Sequence, residues 1–471
     1  MASADQTTIE EQFEYQRLDL REKNLNRTIW SLAIPAIGEN LMYALVFLSD
    51  TLIVGWLRDE NALAATALAG LIMFFVNSPF YALSAATSSV VARCWGEHDF
   101  AGARRYAGHS IFAAFVFGLA ALIIIHPLAR GLIGLLGAEA QVLEFGGRYL
   151  RIVLFSAILG LPLIVSNGVI RAKGDTRRPM LITVTMNIIN VLVSIVLAFG
   201  LGPVPRMGMS GVAVGTVVAR SIGAVLSLGV LVSAKRGIGL KAGNILSLQR
   251  KAFGRLWHLG YPAMLDRTLH SLGSLIFIRI VAILGTTTLA AHNIALHVES
   301  LAFMPAVGVG AAVAAIVGQS IGAKMSHIAE LTVKRSLVCS GAFMVALGTM
   351  FVVFAPWGVH AFGATPGVLR LAGIALQISA LELPFLAFSI ILSASLRGAG
   401  DTRSPLYVTA VCLVVFRLGG VYLFAIIFGW GLPGVWLATA LDWACRSLGL
   451  WLFFRRGVWK LLHEQEKARY S

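Results

Sequence analysis

The chain has 471 residues, 57% of them apolar and 13% charged, and its mean hydropathy is +0.79. No soluble globular domain needs that much apolar surface, so composition excludes one and defines a polytopic membrane protein. The net charge of +15 would suit a nucleic-acid partner, but the basic residues fall in alternate loops, which makes the excess a matter of topology instead.

Residues 1–28 are polar and mixed in charge, without the apolar core and cleavage site of a signal peptide, and read as a cytoplasmic arm. Apolar runs of about 20 residues or more, enough to cross roughly 30 Å of hydrocarbon, then predict twelve spans. They lie near 29–56, 62–92, 110–136, 145–170, 179–202, 210–234, 258–284, 288–318, 335–362, 367–396, 404–430 and 432–454. Arg17, Arg21, Lys23 and Arg27 precede the first span, Arg104 and Arg105 follow the second, and Arg171, Lys173, Arg177 and Arg178 follow the fourth. The pattern continues to Arg455, Arg456 and Lys460 after the twelfth, which places both termini in the cytoplasm and the chain in the plasma (inner) membrane. Anionic lipid headgroups are the expected partners of these clusters, and the chain is expected to work as a monomer. Cys94, Cys339, Cys412 and Cys445 show no paired spacing, so neither a disulfide framework nor a zinc site is indicated.

The first span carries two carboxylates, Glu39 and Asp50, together with Pro35 and Asn40. Ionisable groups inside a span are expensive and therefore functional candidates. Eleven residues apart, they share a helix face to within about 20° and stand roughly 16 Å apart along the axis. Further along come Asn187 and Asn190, three residues apart on span 5, then Asp266 and His270 on span 7 and Glu382 before Pro384 on span 10. Each has a bland alternative. Asp50 could be a structural acid bonded to the asparagines, Glu39 could lie shallow enough to be solvated, Asp266 could pair with Arg267 or cap a broken helix after Pro262, His270 could be an ordinary hydrogen-bond partner, and Glu382 could pair with Arg279, Arg417 or Arg446. Asp442 and Arg446, four apart, most simply satisfy each other. His292, His297 and Glu299 lack the spacing of a closed metal site.

The chain repeats itself. Ile170 to Pro179, reading IRAKGDTRRP, returns as Leu396 to Pro405, LRGAGDTRSP, and Pro79 and Gly96 return as Pro305 and Gly322. Gly211-Val212 followed by Thr216 reappears as Gly434-Val435 followed by Thr439. A six-span unit has thus been duplicated, giving a parallel repeat related by a pseudo-two-fold axis along the membrane normal. The expected organisation is an N-lobe over 29–234, a basic linker over 235–256, a C-lobe over 257–456 and a tail over 457–471. Glu39 and Asp266 each stand four residues after a matched proline, Pro35 or Pro262, whereas the position matching Asp50 is Phe277. The Gly-Asp-Thr-Arg-x-Pro repeats read as cytoplasmic turns with the Asp as helix cap.

These residues resemble the multidrug and toxic compound extrusion (MATE) family. The carriers are the Pro35 to Gly55 pattern with Ser49-Asp50-Thr51, the doubled Arg-x-x-Gly-Asp-Thr-Arg-x-Pro, Asn187-x-x-Asn190, and the run from Ala290-Ala291-His292-Asn293 through Pro305 to Gly322. The resemblance implies an all-α membrane protein whose twelve helices form two six-helix lobes, V-shaped around a central cavity. It implies efflux of amphipathic, often cationic organic compounds by alternating access, driven by H+ or Na+. It carries the family's first-helix acid onto Asp50 and its asparagine pair onto Asn187 and Asn190. Several members have a further aspartate where this chain has Ser194. In others a second-half glutamate falls at His270, and an acid of span 10 at Leu386, with Glu382 here one turn earlier.

An antiporter needs a group whose charge changes when the coupling ion binds, and a buried carboxylate qualifies because burial penalises its charge while a neighbouring donor restores it. The expected ion-coupling residues are therefore Asp50, Asn187, Asn190 and Glu39, and the expected substrate-cavity residues Asp266, His270, Glu382 and Tyr43. Phe47, Phe74, Phe75 and Tyr81 are candidate cavity aromatics suited to cations. With Ser194 in place of a further acid, H+ is favoured over Na+, although Na+ at Asp50, Asn187 and Asn190 stays open. No cofactor, nucleic acid or enzymatic activity is expected, and no ATP-binding motif is present. A lipid-linked oligosaccharide or lipid flippase of the same superfamily is the rival reading, and the acids Glu39, Asp50, Asp266 and Glu382 argue against the cationic cavity it would need.

Overall fold

A computed structural model describes residues 18–235, 237–246 and 249–462, and these are almost entirely helical. Twelve long helices account for them: α1 (Leu25–Trp56), α2 (Glu60–Gly96), α3 (Phe100–Leu135), α4 (Ala140–Ala172), α5 (Arg177–Phe199), α6 (Met209–Val232), α7 (Arg250–Ile283), α8 (Thr286–Gly322), α9 (Ser326–Gly358), α10 (Pro366–Ala399), α11 (Arg403–Ile427) and α12 (Gly431–Arg456). Ten are long and apolar enough to cross a membrane by composition. The other two, α7 and α12, carry Asp266, Arg267 and Arg279, and Asp442 and Arg446, within their lengths. Several helices outrun the expected spans, α3 beginning at Phe100 and α9 at Ser326. Charged residues soon after these starts, Arg104 and Arg105 in α3 and Glu330, Lys334 and Arg335 in α9, keep hydropathy from registering the early turns, while the Asp99 cap begins α3 before them.

Aspartates start four of these helices. Asp59 Oδ1 accepts the amides of Asn61 (3.0 Å) and Ala62 (3.1 Å), and Asp99 Oδ1 that of Gly102 (2.7 Å). The repeated turns behave as expected: Asp175 Oδ1 accepts from the Arg177 and Arg178 amides at 3.1 Å, and Asp401 Oδ1 from the Ser404 amide at 2.9 Å. The preceding glycines, Gly174 (φ +103°) and Gly400 (φ +101°), adopt a backbone that L side chains resist, which is why both copies keep glycine there.

The chain divides into two compact units. Unit 1 contains Gly38–Gly260, with Leu18; unit 2 contains Asp19–Ile37 and the chain from Tyr261 onward. The first division falls inside α1, three residues after Pro35, and the second falls in α7, next to Pro262. The early part of α1 is built into unit 2: Arg335 of α9 donates to the Glu22 carbonyl (3.1 Å) and to Asn26 Oδ1 (3.3 Å). Gly308 of α8 lies so close to Ile37 that a Cβ there would overlap the Ile37 backbone.

Within each unit one helix is central. In unit 1 α4 packs on α2, α3 and α6; in unit 2 α10 packs on α8, α9 and α12, the same pattern in both copies. Small residues on α4, among them Gly146, Gly147, Ala157 and Gly160, are buried and let neighbours approach. Ser84 and Ser88 of α2 donate at 2.8 Å to the α4 carbonyls of Ile164 and Gly168. The start of the basic linker also belongs to unit 1. Ile238 and Leu240 are buried, Lys173 Nζ donates to the Gly237 carbonyl (2.8 Å), and the Gln249 amide donates to His109 Nε2 (2.9 Å). Burial, reinforced by Arg178, pulls the Lys173 ammonium down to about 8.

α11 departs from a regular span. After Arg403–Cys412 it widens into π-helical turns at Leu413–Leu418 and again at Tyr422–Ile427, separated by Gly419–Val421. No proline marks this in the sequence.

Candidate functional site

The centre of unit 1 is a cavity of about 460 Å³, within the range of small-molecule pockets. Its wall is largely apolar and aromatic, with Tyr43, Phe74, Tyr81, Tyr149, Met73 and Met186, and it holds two charged side chains, Asp50 and Arg220. Tyr43 and Tyr81 meet edge to face, with centroids 6.4 Å apart. Phe75 packs against Phe74 and is absent from the wall, and the side chain of Phe47 lies outside the described residues.

Asp50, 7% exposed, is fastened from α6. Its Oδ2 accepts from the Thr216 hydroxyl at 2.9 Å, and that hydroxyl accepts from Asn190 Nδ2 at 3.2 Å. The same hydroxyl lies 3.2 Å from the Val212 carbonyl, so its single proton has two competing acceptors. Oδ1 of Asp50 and the side-chain oxygens of Asn187 and Asn190 are buried without a hydrogen-bond partner among the described residues. Asn187 turns its amide to the Met42 carbonyl (2.8 Å). Of the three residues expected together, Asp50 and Asn190 thus meet through Thr216, whereas Asn187 instead bonds the backbone of α1, two turns before Asp50.

Thr216 had surfaced in the sequence only as a marker of the repeat. Its recurrence as Thr439 was the available signal: both hydroxyls lie near the carbonyl four residues back, Thr439 at 3.0 Å from Val435. In unit 2, where Phe277 replaces the acid, that is the one bond the hydroxyl makes among the described residues. Replacing Thr216 with Val should cost about 1–3 kcal/mol of stability, because a buried carboxylate oxygen and an amide lose their shared partner, and Ser should restore most of it; thermal melts in detergent would show this. A melt unchanged in the Val variant would mean that the hydroxyl carries no weight.

Glu39, 1% exposed, makes a different connection. Its Oε1 accepts from Arg171 Nη1 at 2.6 Å, with Asn167 Nδ2 at 3.5 Å, and Asn167 reaches the Tyr43 hydroxyl (3.1 Å) and Ser227 (2.8 Å). Tyr43 therefore joins this network to the cavity. The counterpart acid, Asp266, meets Arg397 Nη1 at 3.4 Å, not its neighbour Arg267. Arg171 and Arg397 are the leading arginines of the two repeats, so the duplicated acids pair with the duplicated arginines, one pair in each unit. The repeat motif therefore does more than make a turn.

The remaining expected residues, Asp266, His270 and Glu382, belong to unit 2 and are not in the wall of the unit 1 cavity. Asp442 accepts from Arg446 (2.9 Å) and forms an ion pair with Arg417 (2.9 Å), both guanidiniums lying over the Trp443 ring. Glu382 is fully buried and, among the described residues, forms no ion pair with Arg279, Arg417 or Arg446; its side chain meets that of Glu299 instead. His270 is half-buried, one turn beyond Asp266. His292 is enclosed between Phe277 and Trp436, and among the described residues no cluster of three metal-ligating side chains forms.

A multi-pass helical bundle, duplicated, with a sealed carboxylate in the wall of a drug-sized cavity is the anatomy of a membrane transporter. The chain matches the model of the MatE family over residues 35–196 and again over 262–423, and it belongs to that family. It is 27% identical to a probable multidrug resistance protein NorM of Thermotoga maritima, over 93% of each chain. Among solved structures it resembles a MATE in the bent conformation, with TM-score 0.86 and 22% identity, covering 94% of this chain and 97% of that one. It also resembles a Pyrococcus furiosus transporter described as having a binding pocket of reverse polarity, with TM-score 0.85 and 23% identity, covering 92% and 96%. These likenesses establish the all-helical fold and its duplicated architecture.

Proposed function

We propose that this protein is a multidrug efflux antiporter that exports amphipathic organic compounds bearing a positive charge, in exchange for H+, by alternating access across the inner membrane, with both termini cytoplasmic. The relatives' names support drug export. The observation that carries the mechanism is Asp50 in the cavity wall, held by one oxygen on a hydroxyl that has a second acceptor to return to. With Asp50 ionised, the Thr216 proton serves Oδ2; once Asp50 takes up a proton, that hydroxyl is released to Val212, and the carboxyl no longer attracts a cation. Proton and substrate thus compete for one group. The bend available at Pro35 of α1 offers a route from this local change to a change of shape.

Sodium is the second reading, favoured by the buried oxygens of Asp50 and Asn190 that lack a donor among the described residues, oxygens of the kind a hard cation takes; Asn187, turned to the Met42 carbonyl, stands apart from them. Proteoliposomes loaded with a fluorescent organic cation, given a pH gradient and a sodium gradient separately, distinguish the two. Efflux is expected on the proton gradient alone; efflux that follows only sodium would replace H+ by Na+, and efflux with neither would end the antiport reading.

A further inference from the structure

The cavity of unit 1 is not simply acidic. Arg220, from α6 and four residues after Thr216, lies in the same wall as Asp50. Its guanidinium donates from Nη1 to Ser156 Oγ at 3.1 Å, and no ion pair joins it to a carboxylate among the described residues. It is only half-buried, so the remaining N–H groups of its fork are open to the cavity. Gly160 of α4 faces the stem of Arg220, leaving 3.5 Å between Cδ and the place where a Cβ would stand. Four other arginines within the helices, Arg171, Arg397, Arg417 and Arg446, each have a carboxylate partner. An arginine kept at that depth without an acid is expensive, and a bidentate guanidinium is shaped for a carboxylate.

Building on the transport reading above, we infer that Arg220 is the carboxylate-binding residue of this cavity and that its preferred substrates are zwitterionic amphipaths. An aromatic body sits among Phe74, Tyr81 and Tyr149, an amine faces Asp50, and a carboxylate faces Arg220. A zwitterion brings a carboxylate to the guanidinium as well as an amine to Asp50; a plain monocation brings only the amine.

Two xanthene dyes that differ only at the benzoate, a free acid in one and a methyl ester in the other, make the test. Equilibrium binding is read by fluorescence anisotropy on detergent-purified protein, and efflux by proteoliposomes. Wild type should bind the acid more tightly than the ester. Arg220→Gln should weaken the acid roughly ten- to a hundredfold, the worth of a charged hydrogen bond, and leave the ester within about twofold. Arg220→Lys, which keeps the charge and guards against a folding defect, should recover part of the preference. Equal loss of both dyes in the Gln variant, with no recovery in Lys, would overturn the assignment, as would wild type that binds neither dye or prefers the ester. Discrimination in binding without efflux of either dye would instead sink the transport reading while leaving Arg220 its role.

Discussion

Replacing Asp50 with Asn is expected to reduce gradient-driven efflux to the rate of protein-free vesicles while the folded protein stays in the membrane. The amide keeps the shape of the carboxyl and can still accept from Thr216, but it neither takes up a proton nor attracts a cation. Because a buried charge has been removed, the melting temperature in detergent should hold or rise, which separates loss of coupling from loss of fold. Efflux that persists at wild-type rate under the same pH gradient would remove Asp50 from the mechanism. Counterflow, in which labelled substrate exchanges for unlabelled substrate without a gradient, should survive in the Asn variant if the cavity is intact.

The second large effect is structural. Truncating Arg171 to Met strands Glu39, whose carboxylate is 2% exposed, in an apolar interior, and should cost about 3–5 kcal/mol. Converting Glu39 to Gln in the same molecule should restore most of that loss, since a neutral pair no longer needs the arginine. The matched change, Arg397→Met, should cost clearly less, because its pair is longer at 3.4 Å and Asp266 is 13% exposed. A double-mutant cycle for each pair, read by thermal melts of purified protein, gives the comparison. Equal costs in the two units would show that burial does not set the price here.

Much of this was legible in the sequence, for identifiable reasons. Hydropathy found the helices because a span must satisfy its backbone internally and cover itself with apolar side chains. The cost of a charge in that setting singled out Asp50 and Glu39, and the aspartates of the repeated turns were read correctly because a cap is a local device. The partners were harder. Thr216, Tyr149 and Arg220 join Asp50 from helices far along the chain, and no spacing rule connects them. The ion pairs show this most sharply: both acids and both arginines stood out in the duplication, yet only packing of α1 on α4 and of α7 on α10 reveals that they belong together. The π-helical turns of α11 themselves hold neither glycine nor proline, and only the Gly419-Gly420 pair between them marks the place.

The division of α1 at Ile37 also sets a timetable. The first turns of this helix are made well before the residues that receive them, Gly308 and Arg335, which come some 300 residues later. At roughly 5–20 residues per second, synthesis leaves that segment without its neighbours for about 15–60 s. Unit 1 can assemble in that interval, whereas unit 2 is incomplete until a piece from the start of the chain is returned to it. A fragment beginning at Tyr261 should therefore need Asp19–Ile37 supplied in trans.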